Sequence, residues 1–259
     1  MNLLHAIILG IVEGVTEFLP ISSTGHLILS VKVLGLLQSD FMKSFEIIIQ
    51  LGAILSVIVL YWRSLIVDFK TFSLVFTGFV PTAFLGLLLY KCIKNVLLNN
   101  ELIVLIALLA GGILLIVFEL LHHEKPDASV LISDITYKQA FIIGVCQSAA
   151  IIPGVSRSLA TILGGLALGL RRKVVVQFSF LLAIPTMLSA TAYDLTKNAS
   201  HFTSEQFYFL LVGFIVSFIV ALFAIKFLIS YIEKHNFIVF GIYRILIALL
   251  FMWGLTLTR

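Results

Sequence analysis

A shortage of charge is what most limits the folds open to this chain. Only 12% of its 259 residues are Asp, Glu, Lys or Arg, about half the roughly 25% of a soluble domain. With 61% hydrophobic residues and a mean hydropathy of +1.16, it cannot close a polar shell around one core. Lipid must cover the rest. The chain is therefore predicted to be a polytopic, all-α membrane protein, which excludes soluble enzymes, disordered tails and extracellular disulfide modules. The net charge of +4 and pI near 9.1 suit an anionic membrane surface. No basic tract interleaves with aromatics, so no nucleic acid is expected as a partner. Cys92 and Cys146 lie far apart in apolar surroundings and imply neither a disulfide framework nor a metal knuckle. The apolar N-terminus has no basic leader, and Glu13 and Glu17 interrupt it, so a cleaved signal peptide is not expected.

A membrane-crossing helix needs about 20 mostly apolar residues. Six stretches qualify: Phe41–Trp62, Thr71–Lys91, Glu101–Leu121, Val174–Leu195, Gln206–Ile232 and Phe237–Leu257. Pro81 and Pro185 fall inside two of them and predict kinks. Two regions break the pattern. Residues 1–37 are interrupted by Pro20-Ile-Ser-Ser-Thr-Gly25, and residues 137–170 by Pro153-Gly-Val-Ser-Arg-Ser158. Their pieces are too short to cross, so each region reads as a re-entrant helix–loop–helix hairpin.

The two regions also match each other. Gly10-Ile-Val-Glu13 answers Gly144-Val-Cys-Gln147, and Phe45 and Phe178 each follow their proline by 25 residues. The single membrane domain, 1–259, thus divides into repeat one (1–121) and repeat two (137–257), each a hairpin plus three spans. Three crossings are an odd number, so the second repeat is inverted with respect to the first, as in many transporters. Nine flanking basic residues (Arg63, Lys70, Lys125, Lys138, Arg171, Arg172, Lys173, Lys226, Lys234) fall on one side. Six (Lys32, Lys43, Lys91, Lys94, Lys197, Arg259) fall on the other. The nine-residue side is expected to be cytoplasmic, with the first hairpin opening outside.

Four ionisable residues remain at membrane depth: Glu13, Glu17, Arg157 and Arg244. Such groups cost several kcal/mol unless paired or wet, which makes them functional candidates. Glu13 and Glu17 are four apart and share a helix face. Two close carboxylates repel unless a cation lies between them, and Mg2+ or Ca2+ fits an oxygen-only site. Ser22, Ser23, Thr24 and His26 crowd the first loop, and Ser156, Arg157 and Ser158 the second, with Thr161 just beyond. Hydroxyls, helix N-termini and a guanidinium bind phosphate, and an imidazole moves protons. Together these are the parts for hydrolysing a phosphoanhydride, with Arg244 a further phosphate ligand. Each has a plainer reading: Ser-Ser-Thr could cap a helix, Arg157 could neutralise Glu17, and Arg244 could snorkel or meet an acidic neighbour.

Glu13-Gly-Val-Thr-Glu17-Phe-Leu-Pro-Ile-Ser-Ser-Thr-Gly-His26 and Pro153-Gly-Val-Ser-Arg-Ser158 with Thr161 resemble the two signatures of the undecaprenyl-diphosphate phosphatase family, the bacitracin-resistance protein type. The resemblance includes Phe45 to Ala53 and runs the whole length. It implies a multi-pass enzyme of the bacterial plasma (inner) membrane whose active site faces the periplasmic or outer side. The substrate implied is undecaprenyl diphosphate, cleaved with a divalent metal, which recycles the peptidoglycan lipid carrier and confers bacitracin resistance. The family's essential acid, serine, histidine and arginine fall on Glu17, Ser23, His26 and Arg157. The chain is compatible with a homodimer. Two other classes are weighed. Acid-phosphatase-like lipid phosphatases want a His six residues after the Arg, where Leu163 stands. A transporter or flippase of polyprenyl phosphate lipids would also suit an inverted repeat.

Overall fold

A computed structural model describes the backbone of residues 1–66, 68–92, 101–124, 131–198 and 203–257. Among these there are ten α-helices and no strand: α1 (Leu3–Thr16), α2 (Ser23–Val33), α3 (Asp40–Ile66), α4 (Phe69–Cys92), α5 (Glu101–Leu121), α6 (Tyr137–Gln147), α7 (Arg157–Ala167), α8 (Arg172–Asn198), α9 (Ser204–Ile232) and α10 (Ile238–Leu257). Capping boxes start three of them, through Asn2 with His5, Thr136 with Gln139 and Thr203 with Gln206. Large apolar side chains such as Phe69, Phe84, Leu87, Phe223 and Trp253 point outward, as a lipid-facing surface requires.

Five helices are long and apolar enough to cross a membrane, within α3, α4, α5, α8 and α9. The sixth expected span, in α10, has a shorter apolar stretch, Ile238–Gly254. The helices α1, α2, α6 and α7 have 14, 11, 11 and 11 residues, so none exceeds about 21 Å. Pro81 and Pro185 lie inside α4 and α8, whereas the break in helical dihedrals falls at Tyr61 of α3. Lys94, Lys125 and Arg259, on which part of the expected charge asymmetry rests, lie outside the described residues.

Each short helix pair rests on a long helix from the other half of the chain. Helix α1 runs along α9, and α6 along α4. Bare glycine faces make this possible. A Cβ on Gly10 would approach the Gly213 carbonyl, one on Gly14 the Ser217 carbonyl, and one on Gly144 would overlap the Gly78 carbonyl. Small residues let helix backbones touch where no hydrophobic effect drives association. Gly144→Ala is expected to cost about 1–3 kcal/mol through overpacking, lowering the thermal midpoint by roughly 3–10 °C. Gly86→Ala, where a Cβ meets nothing within 4 Å, should leave it unchanged. Melting both variants in detergent checks this.

Candidate active site

The site is built where the two interrupted regions meet. Helix α1 ends at Thr16, and the chain turns through Pro20 into α2; α6 ends at Gln147 and turns through Pro153 into α7. The residues that start the outgoing helices are matched. Ser22 has φ 74° and Ser156 φ 76°, the only non-glycine residues with positive φ among those described. Holding an L-residue there costs of order 1–3 kcal/mol and concentrates at functional sites. Each of these serines is an N-cap, Ser22 Oγ accepting from the Gly25 amide and Ser156 Oγ from the Leu159 amide. Gly154, at φ 93°, lies so close to α5 that a Cβ would sit 2.6 Å from the Val104 carbonyl oxygen. Only glycine suits both conditions.

Three residues singled out from sequence join in one buried chain of contacts. Ser23 Oγ donates to Glu17 Oε2 at 2.5 Å, and Arg157 Nη2 donates to Glu17 Oε1 at 3.1 Å. The two interrupted regions therefore meet on one carboxylate. Arg157 Nη1 donates to the Ser179 carbonyl at 2.8 Å, and Ser158 Oγ crosses to the Leu19 carbonyl at 2.8 Å. Ser156 and Ser158 hydroxyls lie 3.0 Å apart, and Thr161 Oγ1 lies 2.6 Å from Ser179 Oγ. The counter-ion reading of Arg157 is thus part of the geometry, though it leaves one donor free. Arg157 Nε is buried with no hydrogen-bond partner.

Glu13 is fully buried, and both its carboxylate oxygens also lack a partner. Unpartnered buried polar atoms cost about 1–3 kcal/mol each. A donor and two acceptors left open beside a completed ion pair leave capacity for a ligand. Two carboxylates one turn apart have the donor chemistry for a hard divalent cation. Among the described residues no three His, Cys, Asp or Glu side chains gather to hold a metal by themselves. A cation here would complete its shell with water or phosphate oxygens.

Three further expected site residues have these surroundings. His26 is held by Ser22 and Tyr243: Nδ1 lies 2.7 Å from the Ser22 carbonyl and Nε2 2.9 Å from Tyr243 Oη. Thr24 is half-buried beside the Ser22–Gly25 cap. Arg244 is 0% exposed, and its four hydrogen bonds all go to backbone carbonyls, those of Ala107, Leu108, Pro20 and Gly154. It stands behind both loops, where the sequence suggested a phosphate ligand. Sequence reasoning missed Tyr243 and Ser179. A phenol next to a buried arginine was the one signal for the first; nothing marked the second.

The family model described as "Bacitracin resistance protein BacA" matches residues 6–250. A protein of Aquifex aeolicus named undecaprenyl-diphosphatase is 51% identical over 247 residues, 95% of this chain and 96% of its own. Proteins of the same name from Sulfurihydrogenibium and Wolinella succinogenes are 52% and 49% identical, covering 98% and 99% of this chain and 100% of their own. With the family model matching nearly the whole chain and relatives about half identical over their full length, this chain belongs to the bacitracin resistance protein BacA family.

Proposed function

We propose that this chain is an integral-membrane phosphatase that hydrolyses undecaprenyl diphosphate to undecaprenyl phosphate and inorganic phosphate. The observation that carries the reading is the Ser23–Glu17–Arg157 chain, with an unused guanidinium N–H beside it. Ser23 Oγ attacks the terminal phosphorus as its proton passes to Glu17 Oε2. The bond from that phosphorus to the bridging oxygen breaks, and undecaprenyl phosphate leaves. Water then attacks the phosphoserine, a proton of that water passing to His26 while Glu17 returns its own to Ser23 Oγ. Arg157 meets the phosphate through Nε, and the hydroxyls of Ser22, Thr24, Ser156 and Ser158 surround the phosphate path. Glu13 and Glu17 would hold Mg2+ or Ca2+, which supplies neutralisation of diphosphate charge when bound. Arg244 we assign to positioning the loops, in place of phosphate binding. Lipid substrate enters sideways from a bilayer, so product release recycles the carrier in place, at the outer face of the bacterial inner membrane.

The same proposal includes six spans with two re-entrant hairpins, arranged as an inverted repeat of residues 1–121 and 137–257. The matched Ser22 and Ser156 conformations support it, as do the exchanged packings of α1 on α9 and α6 on α4. At the position answering Glu13, Gln147 donates to Thr82 and Thr186 hydroxyls at 2.8 and 3.2 Å. Only the first repeat keeps its carboxylate open.

Purified protein in detergent, where no transport is possible, should release phosphate from undecaprenyl diphosphate. Ser23→Ala should lower the rate at least about a hundredfold, and a chelator should abolish it. No release from the wild type would favour lipid transport instead. Full activity of Ser23→Ala would remove the nucleophile, and full activity in chelator the cation.

A further inference from the structure

The hydrogen bonds around His26 settle which nitrogen carries its proton. A carbonyl oxygen can only accept, so Nδ1, 2.7 Å from the Ser22 carbonyl, must be the N–H. In the neutral imidazole Nε2 then holds the lone pair, and the Tyr243 hydroxyl at 2.9 Å donates to it. The two rings lie nearly parallel, at 6° with centroids 5.5 Å apart. Ser23 has meanwhile given its hydrogen bond to Glu17. The basic lone pair of His26 is therefore engaged by the Tyr243 hydroxyl. Tyr243 is the more open of the two, 38% exposed against 9% for His26.

We propose that Tyr243 is the positioning residue of His26 and the route by which a proton reaches it. Resting on the phosphatase reading above, this names how the hydrolytic step is served. The Ser22 carbonyl fixes the Nδ1–H tautomer, and Tyr243 engages the lone pair on Nε2 and holds the ring orientation. As water attacks the phosphoserine, its proton moves to Tyr243 Oη while the Tyr243 proton moves to His26 Nε2. The water oxygen forms the new P–O bond, the imidazole becomes imidazolium, and no further reactant is needed. The bond between phosphorus and Ser23 Oγ breaks, and the imidazolium returns its proton through Tyr243 Oη to the departing inorganic phosphate, which restores the resting state. Helix α10 thus contributes chemistry through one side chain and architecture through the next, Arg244.

Tyr243→Phe keeps the ring and removes only the hydroxyl. It should lower kcat at least tenfold with KM for undecaprenyl diphosphate within about twofold. The double variant His26→Ala/Tyr243→Phe should be no slower than His26→Ala alone, because residues acting through one another are not additive. A purely structural tyrosine would give losses that multiply. Nitrogen-15 NMR of histidine-labelled protein supplies a second readout that needs no turnover. The signal lost in His26→Ala should report Nδ1–H in both proteins, with the Nε2 resonance shifted in Tyr243→Phe as its lone pair loses the hydroxyl. Wild-type kcat in Tyr243→Phe, multiplying losses, or an unchanged Nε2 resonance would each overturn the proposal. Absence of phosphate release from the wild type would instead refute the phosphatase reading, with the Nε2 measurement still deciding the role of Tyr243.

Discussion

Arg157→Ala should abolish phosphate release to background, a loss of at least about a thousandfold. Removing a preorganised donor aimed at developing charge costs about a hundred- to a thousandfold alone. Here the same change strips Glu17 of its partner at 3.1 Å, in a place where both side chains are nearly inaccessible, at 7% and 2%. Breaking a buried pair from one side typically costs 3–5 kcal/mol, because the remaining charge stays buried. The variant should therefore melt lower as well as fail to turn over. Two companions separate these effects. Arg157→Lys returns the charge without a fork that can serve Glu17, the Ser179 carbonyl and a phosphate oxygen together. It should recover stability more than rate. Glu17→Gln/Arg157→Met removes both charges and should regain much of the melting midpoint while staying inactive. Phosphate release and thermal melting on the three variants check this, and an active Arg157→Ala protein would remove Arg157 from the chemistry.

The second large effect belongs to Arg244. Arg244→Met removes donors from four carbonyls in three segments, α5, the Pro20 loop and the Gly154 loop. Hydrogen bonds to a charged group are worth about 1.5–3 kcal/mol each, and acceptors left buried cost more than a solvated loss. A net loss of about 4 kcal/mol is expected, which for a chain of this size lowers the thermal midpoint by roughly 8–16 °C. Activity should fall with it, since both loops lose their common anchor. If Arg244 instead gripped phosphate, KM would rise while the midpoint held. Melting and kinetics of one variant thus decide between the placement seen and the role first read from sequence.

The membrane class was legible because apolar length and charge scarcity are one-dimensional quantities. So were the interrupted regions: Pro20 and Pro153 each open a run of glycine and N-capping serines, whereas the lone Pro81 and Pro185 stay inside α4 and α8. Glu17 and Arg157 could be nominated as costly charges, but their pairing spans 140 positions and becomes visible only when both interrupted regions are folded. The backbone partners of Arg244 were hidden for the same reason. A buried guanidinium calls for acceptors, and backbone carbonyls exposed at broken helices satisfy that need as well as phosphate does, yet leave no mark in sequence. His26 shows the limit most sharply. Its imidazole chemistry suggested proton transfer, but the tyrosine it meets lies 217 residues away.

The packing of α1 on α9, with Tyr243 and Arg244 on α10, also has a consequence for biosynthesis. A ribosome delivers Glu17 and Ser23 early, into a bilayer that does not yet hold the helices meant to receive them. The groups that orient His26 and tie the loops emerge only with the tenth helix. Under the proposed mechanism, the nascent chain carries Glu13, Glu17 and Ser23 before Tyr243 and Arg244, which hold His26 and the two loops, have been made. Activity on that reading waits for α10 to pack in place.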